Sequence, residues 1–234
     1  MTFDIMTLFP DLVTRVLGES IIGRAQKNGC ITVSCHDIRD FSHRKTRRVD
    51  DSPYGGGMGM IMECAPIYDC YRSIVDGLPE TEKRRVIYMT PKGRLFSQKI
   101  ARELSGYDRL VFLCGHYEGV DERVIEEIVD DEISIGDYVL TGGEIPACIV
   151  VDAVSRLLPG VLSSPECYEG ESIASGLLEY PQYTKPAEFH GRRVPDVLLS
   201  GHHENIDKWR YEQALRLTRE RRPDLLKDKN EDPS

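Results

Sequence analysis

The stretch Ser134-Ile-Gly-Asp-Tyr-Val-Leu-Thr-Gly-Gly-Glu-Ile-Pro146 places three glycines around one short apolar run. The spacing predicts a buried strand over residues 133–140, a Thr-Gly-Gly turn and an apolar helix over residues 145–158. Glycine alone lacks the Cβ that would keep a ligand or a second backbone segment at a distance, so these glycines indicate a close approach. A buried strand that ends in a glycine turn before a helix is where α/β proteins bind ligands. We therefore expect a binding site at this turn.

Earlier apolar runs show the same order of strand, loop and helix. Strands are predicted over residues 3–8, 31–36, 86–90 and 110–114, and helices over residues 10–17, 97–104 and 121–129. This alternation is typical of parallel strands that are joined by crossover helices. The apolar runs lack polar alternation, which indicates strands covered on both faces. The predicted fold is therefore an α/β domain with a parallel sheet.

Three of the predicted strands end in loops that contain glycine. The loops are Thr90-Pro-Lys-Gly93, Gly115-His-Tyr-Glu-Gly119 and Thr141-Gly-Gly-Glu144. Because the carboxyl ends of parallel strands lie on one edge of the sheet, the three loops can converge on one pocket. This convergence is stronger evidence for a ligand site than any single glycine.

Length and composition restrict the class of protein. A chain of 234 residues forms one large domain, or a domain of about 150 residues with a smaller one. Residues 1–9 lack a basic segment and a cleavage site, and no run approaches the roughly 18 apolar residues of a membrane span. The seven cysteines are scattered, and there is no Cys-x-x-Cys or His-Glu-x-x-His motif. We expect reduced, structural thiols in a cytoplasmic protein with no membrane segment and no zinc site.

The pattern changes after Pro159-Gly160. Residues 163–176 are poor in large apolar side chains and rich in Ser, Glu and Gly, which is typical of a linker or a mobile loop. Residues 205–221 predict one amphipathic helix, with Ile206, Trp209 and Leu217 on a shared face. We expect a first domain over residues 1–162, a linker over residues 163–176 and a small helical domain over residues 177–234.

Two basic runs occur in a chain whose formal net charge is −9. Residues 39–48 hold five basic side chains against one Asp, and residues 202–222 hold six against four acids. The net charge argues mildly against a protein that binds polyanions without regard to sequence, although the distribution of charge matters more than its sum. Either run alone is typical of a solvated face, whereas two together also fit a nucleic-acid footprint.

The common nucleotide-binding motifs are missing from the sequence. There is no Gly-x-x-x-x-Gly-Lys-Ser/Thr, and no Gly-x-Gly-x-x-Gly follows the first strand, which disfavours an ordinary dinucleotide-dependent dehydrogenase. The glycine-rich segment Tyr54-Gly-Gly-Gly-Met-Gly-Met60 follows a polar stretch and not a strand. By itself it indicates either a flexible loop or a loop that folds against a partner.

Several segments together resemble the bacterial tRNA (guanine-N1)-methyltransferases, in order and at the family's spacing over nearly the whole chain. The segments are Val49-Asp-Asp-Ser-Pro-Tyr-Gly-Gly-Gly-Met-Gly-Met60, Cys114-Gly-His-Tyr-Glu-Gly-Val-Asp-Glu-Arg-Val124, Ser134-Ile-Gly-Asp-Tyr-Val-Leu-Thr-Gly-Gly-Glu144, Ser155-Arg-Leu-Leu-Pro-Gly-Val161, Tyr180-Pro-Gln-Tyr-Thr-Lys-Pro186 and Val197-Leu-Leu-Ser-Gly-His202. The resemblance implies the SPOUT class, an α/β fold with a deep trefoil knot, which is an exception to the rule that protein chains are not knotted. It also implies an obligate homodimer whose active sites are shared between the subunits.

The resemblance further implies the reaction and the residues that take part in it. The methyl donor would be S-adenosylmethionine, with S-adenosylhomocysteine as the product, and the target would be guanosine 37 of tRNA, immediately 3′ of the anticodon. The family's cofactor positions correspond to Tyr88, Thr90, Pro91, Gly115, Tyr117, Ile135, Gly136, Asp137, Tyr138, Val139, Leu140, Gly142 and Gly143. Its tRNA positions correspond to Arg44, Arg48, Asp50, Tyr54, Gly56, Gly57, Glu118, Ser172 and Arg210. No residue is assigned to a metal, and a role for Mg²⁺ does not follow from the sequence.

The chemistry of such a reaction needs a base and a cation. N1 of guanine carries a proton at neutral pH, so a carboxylate must remove it, and the charge that moves to O6 needs a fixed donor. By family position Arg156 would be the residue at O6, and Glu118 or nearby backbone would help to recognise the base. The family's general base is an aspartate, where this chain has Glu171, one methylene longer. Glu169 is the other candidate base.

The replaced aspartate keeps a second hypothesis open. Misplacing a base by about 1 Å can cost around a hundredfold in rate, so Glu171 also fits an RNA-binding protein of the same fold with weakened catalysis. Two smaller departures from the family are Met58, where many relatives have Pro or Ala, and His116, where others have Arg. A flanking histidine can still contact phosphate when it is protonated.

Overall fold

The computed structural model of the chain describes residues 1–163 and 176–227. Glu169, Glu171 and Ser172 lie outside these residues. The chain divides into two compact units, Met1–Ser163 and Ser164–Ser234. Each unit is described by itself below.

The first unit is built on a parallel sheet. Its strands are β1 (Thr2–Thr7), β2 (Thr32–Asp37), β3 (Asp50–Asp51), β4 (Ile61–Met62), β5 (Arg84–Leu95), β6 (Arg109–Cys114) and β7 (Asp131–Ser134). Five of them form one sheet in the order β2-β1-β6-β5-β7, with every neighbouring pair parallel, while β3 and β4 form a separate antiparallel hairpin. The prediction of an α/β fold with a parallel sheet is confirmed.

Helices cover both faces of the sheet. They are α1 (Pro10–Leu17), α2 (Ser20–Lys27), α3 (Cys64–Val75), α4 (Gln98–Leu104), α5 (Glu122–Ile128) and α6 (Glu144–Ser155). Successive strand residues point to opposite faces, so Phe3 and Ile5 enter one apolar cluster while Met6 and Leu8 enter the other. The first cluster packs under α1, α2, α4 and α6, and the second under α3 and α5. This explains why the strands lack a polar face.

The structure corrects the predicted strand over residues 133–140. Strand β7 ends at Ser134, and the next six residues leave the sheet. The backbone N–H of Gly136 donates to Ser134 Oγ at 3.2 Å, and that hydroxyl donates to the Gly136 carbonyl at 3.1 Å. This local turn replaces the ladder hydrogen bonds, and Gly136 takes a φ of +150°, which side-chain-bearing residues rarely adopt.

Strand β5 is longer than the predicted run over residues 86–90, and it is interrupted. Ile133 of β7 pairs with both Met89 and Arg94 of β5. Residues 90–93 therefore stand out from the sheet as a loop at the edge where β7 ends. Helices α2 and α3 were not predicted from the sequence.

The second unit contains a short hairpin and helices. The described elements are β8 (Glu188–Phe189), β9 (Arg192–Arg193), α7 (Asp196–Leu199), α8 (His203–Arg221) and α9 (Asp224–Lys227). Helix α8 buries Ile206, but Trp209 and Leu217 stay partly exposed, so the predicted apolar face is only partly correct. Its buried Thr218 hydroxyl accepts a hydrogen bond of 2.8 Å from Leu178 N–H. No helix among the described residues is long and apolar enough to cross a membrane.

A buried ionic network ties three strands of the sheet together. Asp4 of β1 is 3% exposed. Its carboxylate binds the Arg109 guanidinium of β6, and its Oδ1 lies 2.7 Å from Nε2 of His36 on β2. Arg109 also contacts Glu82. The Asp4 carboxylate therefore has partners on both neighbouring strands in a place where water cannot solvate it fully.

We expect Asp4→Asn to lower the free energy of unfolding by about 1–3 kcal/mol, because Arg109 and His36 lose the carboxylate that they share, while Glu82 remains as the other partner of Arg109. Urea unfolding followed by circular dichroism measures the change. The control is Glu126→Gln on the exposed face of α5, which should stay within about 0.5 kcal/mol of the original chain. A loss no larger than the control's would show that the network does not stabilise the sheet.

Candidate active site

The three glycine-bearing loops meet at the carboxyl edge of the sheet, around a cavity of about 1490 Å³. One wall consists of Thr90, Pro91 and Lys92, the loop that leaves β5. The loop after β6, referred to below as the floor, and the segment from β7 to α6 line the same cavity. All of these residues belong to the first unit.

The turn before α6 is seated directly on the end of β6. The N–H of Gly143 donates to the carbonyl of Gly115 at 3.0 Å. A Cβ at Gly143 would lie 2.8 Å from Cα of Cys114 and 3.1 Å from N of Gly115. Such separations are closer than real Cβ contacts, so glycine at this position is a steric requirement.

A buried carboxylate fastens the same turn to β1. The hydroxyl of Thr7 donates to Oε1 of Glu144 at 2.8 Å and accepts from the N–H of Phe9 at 2.9 Å. Thr7 is fully buried and Glu144 is 4% exposed. Glu144 begins α6, where the helix dipole favours a negative charge. These contacts offset the cost of burying the carboxylate.

The other carboxylate oxygen of Glu144 faces the cavity floor. A Cβ on Gly142 would collide with Glu144 Oε2 and would lie 2.6 Å from Nδ1 of His116. That Nδ1 atom is buried and has no hydrogen-bond partner among the described residues. Because Gly142 has no side chain, the Glu144 and His116 side chains can both lie next to the turn.

Three buried groups of the first unit keep their protons at neutral pH. Burial raises the pKa of Tyr88, so its hydroxyl remains a hydrogen-bond donor beside Gly115. Burial likewise raises the pKa of Cys114 well above its ordinary value, and that of Cys148 to about 12. A protonated thiol is a poor nucleophile, so neither cysteine is suited to covalent catalysis.

The β3–β4 hairpin borders the other side of the cavity and is held by ion pairs. The Arg44 guanidinium binds Glu63 and, at 2.6 Å, Asp51, and this hydrogen bond lowers the pKa of Asp51. Arg48 lies 3.3 Å from Asp50. Both arginines were predicted to contact tRNA, and in the structure both are paired with carboxylates in or next to the hairpin.

The structure brings most of the expected cofactor residues together. Those that line the cavity are Tyr88, Thr90, Pro91, Gly115, Tyr117, Ile135, Gly136, Tyr138, Val139, Leu140, Gly142 and Gly143. Asp137 is exposed and is not part of the cavity lining. No group of three or more His, Cys, Asp or Glu in residues 1–163 and 176–227 could hold a metal ion.

The expected tRNA residues are more dispersed. Arg44, Tyr54 and Glu118 line the cavity, whereas Arg48, Asp50, Gly56 and Gly57 belong to the adjoining hairpin and its loop without lining it. Arg210 lies on α8 of the second unit, above the Tyr180 ring at 5.1 Å and 3.2 Å from Asp207. Arg156 caps the carboxyl end of α6. The predicted base Glu171, its alternative Glu169 and Ser172 lie outside the described residues.

Sequence reasoning missed the buried pair of Thr7 and Glu144. Glu144 stands in the glycine motif itself, but Thr7 is 137 residues away along the chain. A threonine at the end of a first strand has no distinctive pattern. An acidic residue directly after a glycine turn and before an apolar helix was the available indication.

We expect Gly143→Ala to weaken binding of S-adenosylhomocysteine at least about tenfold, because the added methyl group displaces the turn from β6. Isothermal titration calorimetry measures the affinity. The matched control is Gly106→Ala, where a Cβ would meet only the Glu103 carbonyl at 3.4 Å. Equal affinities in the two variants would contradict a cofactor site at this turn.

Comparison with known proteins identifies one matching family model and several similar proteins. The family model described as tRNA (Guanine-1)-methyltransferase TrmD matches residues 1–228. A tRNA (guanine-N(1)-)-methyltransferase of Ruminiclostridium cellulolyticum is 58% identical over 226 residues, covering 97% of this chain and 96% of the relative. The enzyme of that name from Clostridioides difficile is 53% identical over 231 residues, which cover 99% of this chain and 100% of the relative. The enzyme of the same name from Geobacter sulfurreducens is 54% identical over 226 residues, which cover 97% of this chain and 91% of the relative.

Proposed function

The chain belongs to the tRNA (guanine-1)-methyltransferase family, and from this premise we propose that it transfers a methyl group to N1 of guanine in tRNA. We further propose S-adenosylmethionine as the donor and the guanosine immediately 3′ of the anticodon as the target. The single observation that carries the proposal is the cavity enclosed by three glycine-bearing loops. The proposed place of action is the cytoplasm.

The cavity has the size and the lining for a cofactor together with a base. Small-molecule sites typically measure about 300–1000 Å³. At about 1490 Å³ the cavity leaves room beside the cofactor for a guanine nucleoside. Gly115, Gly142 and Gly143 let the backbone approach a ligand closely, and Tyr88 supplies a protonated hydroxyl. The residues present therefore fit the proposed group.

The proposed reaction assigns a separate task to each polar residue. Bound S-adenosylmethionine would supply an electrophilic methyl group on its sulfonium. Glu171 would accept the N1 proton, so that the ring lone pair becomes nucleophilic, while Arg156 would stabilise the charge that develops on O6. Glu118 lines the cavity and would hold the base in the orientation needed for attack.

The comparisons give no support to the alternative of an RNA-binding protein with weakened catalysis. Relatives that are 53–58% identical over nearly the whole chain are named as methyltransferases. Glu171 in place of an aspartate is consistent with activity, since the reference pKa values of the two acids differ by only about 0.4 units.

The trefoil knot is part of the proposal and follows from family membership. The observed sheet order is compatible with it, because β5 lies between β6 and β7 although it precedes both along the chain. Residues 90–93 leave the sheet at the edge where the segment after β7 passes toward α6. These are the segments among which the knot would form.

Geometry within the first unit supports a shared active site. Helix α6 has 12 residues and spans about 18 Å, with the cavity at its first turn and Arg156 at its other end. Arg156 is not among the residues that line the cavity of its own subunit. We therefore propose that a second copy of the chain supplies this arginine.

An exposed apolar surface indicates where a second copy would bind. Leu12 and Val16 on α1, and Ile145 and Ile149 on α6, are each at least 40% exposed. The two helices pack against each other, so these side chains form one apolar area next to the exposed Phe9. Such areas on soluble proteins mark interaction sites. We therefore propose a homodimer that joins through α1 and α6.

The reaction is tested by methyl transfer from labelled S-adenosylmethionine to tRNA transcripts. We expect activity when guanosine follows the anticodon and none when adenosine replaces it. Glu171→Gln should reduce the rate at least about a hundredfold because the base is lost, and Glu171→Asp should retain activity. Full activity in Glu171→Gln would eliminate the proposed base. Loss of activity in Glu169→Gln alone would move the role to that residue.

The shared site is tested by mixing two impaired variants at a cofactor concentration too low to occupy the cavity of Gly143→Ala. Arg156→Ala lacks the O6 donor and Gly143→Ala lacks an intact turn, but their mixed dimer has one site with both features. After joint refolding of equal amounts we expect roughly a quarter of the original rate. Each variant refolded alone is the control. No recovery in mixtures that mass spectrometry shows to contain mixed dimers would contradict a site built from two subunits.

A further inference from the structure

The loop at the tip of the β3–β4 hairpin, residues 52–60, exposes two large apolar side chains. Tyr54 is 99% exposed and Met58 is 93% exposed, more than any other large hydrophobic residue described in the chain. A Cβ on either Gly55 or Gly56 would meet nothing within 4 Å, so this part of the backbone also stands in open space. The tip loop thus presents a tyrosine ring and a methionine thioether directly to the surroundings.

Strand β4 and the carboxyl-terminal end of the tip loop are attached to the floor of the cavity. The N–H of Met62 donates to the Gly119 carbonyl at 3.0 Å, and the N–H of Glu118 donates to the Met60 carbonyl at 3.0 Å. A Cβ on Gly59 would collide with the Glu118 side chain, so the two segments are in close contact. The tip loop is therefore held from Gly59 onward, while the Tyr54 and Met58 side chains before this point are exposed.

The tip loop lies at the edge of the reaction cavity. Ser52, Pro53 and Tyr54 line the same cavity as Thr90, Gly115 and Gly142. A base that enters the cavity from solution on this side passes the tip loop. The exposed side chains are thus placed next to the path of the target base, within one unit of the protein.

A base must leave its stack before this cavity can receive it. Enzymes that act on a base extrude it, and removing it from its neighbours costs free energy. Proteins that distort nucleic acids often place apolar side chains between bases, where they replace the lost stacking. A tyrosine offers a flat ring for a base of any identity, and a flexible methionine fills irregular space.

We propose that the tip loop inserts Tyr54 and Met58 into the anticodon loop, at the place that the target guanosine leaves when it enters the cavity. This proposal rests on the proposed function and adds to it a device for base extrusion. Tyr54 stacks on the base next to the vacated position, and Met58 fills the remaining space. Both side chains act on the stability of the extruded state.

The test uses Tyr54→Ala/Met58→Ala and a methylation assay on two RNAs. On an anticodon stem-loop of natural sequence, we expect kcat/KM to fall at least about tenfold. On a stem-loop whose nucleotide 3′ of the target lacks its base, less stacking opposes extrusion, and the loss should shrink to about threefold or less. The affinity for S-adenosylhomocysteine should stay within about twofold. Equal losses on the two RNAs, no loss at all, or a weakened cofactor affinity would each overturn the proposal.

Further variants separate insertion from loop damage. Tyr54→Phe and Met58→Leu keep the ring and the apolar volume, so they should restore most of the activity lost in the alanine variants. Leu95→Ala removes another exposed apolar side chain, 62% exposed and outside the cavity, and should have no effect. Failure of the conservative pair to restore activity would show that stacking and volume are not what the tip loop contributes.

A fluorescent base reports extrusion without the chemical step. 2-Aminopurine in place of the target guanosine should brighten when the original chain binds the stem-loop, and stay dim with the double alanine variant at saturating protein. Equal brightening with both proteins would overturn insertion. Methylation of intact tRNA by the original chain tests the proposed function separately, so the two proposals can fail independently.

Discussion

One backbone hydrogen bond, from the N–H of Gly143 to the carbonyl of Gly115, joins the two loops that form the centre of the cavity. It requires the turn before α6 to lie directly on the end of β6. The two backbones are so close there that a side chain at position 143 would collide with Cys114. This hydrogen bond fixes where α6 begins. It also holds the segment between β7 and α6 against the cavity. Most contacts that define the site are therefore consequences of a close approach between two backbones.

The buried pair of Thr7 and Glu144 makes this arrangement specific. An unpaired carboxylate in this position would be costly, and here it receives a hydroxyl hydrogen bond and lies at the first turn of a helix. Sliding α6 along the sheet would separate both partners and leave the carboxylate buried without compensation. The pair thus fixes the height of the glycine turn above the sheet, whereas the apolar packing beneath α6 is less directional.

The parallel sheet and the convergence of the loops could be predicted because they depend on local apolar runs and on the position of glycines along the chain. The end of β7 could not. Ile135, Val139 and Leu140 are apolar residues that line a cavity, and an apolar run does not distinguish that from pairing in a sheet. The pairs formed by Thr7 with Glu144, and by Arg44 with Asp51 and Glu63, join residues brought together only by the fold. The role of Glu171 still rests on resemblance alone.

The ion pairs of the hairpin bear on how a chain with a net charge of −9 binds RNA. Arg44 and Arg48 are already neutralised by Asp50, Asp51 and Glu63. A phosphate that binds either arginine must compete with a carboxylate, so its net contribution to affinity is smaller than the count of basic residues suggests. Nonspecific attraction to any polyanion is weakened for the same reason. In the proposed complex, discrimination then depends on contacts that only the correct RNA makes, namely the base inside the cavity and the stacking around it.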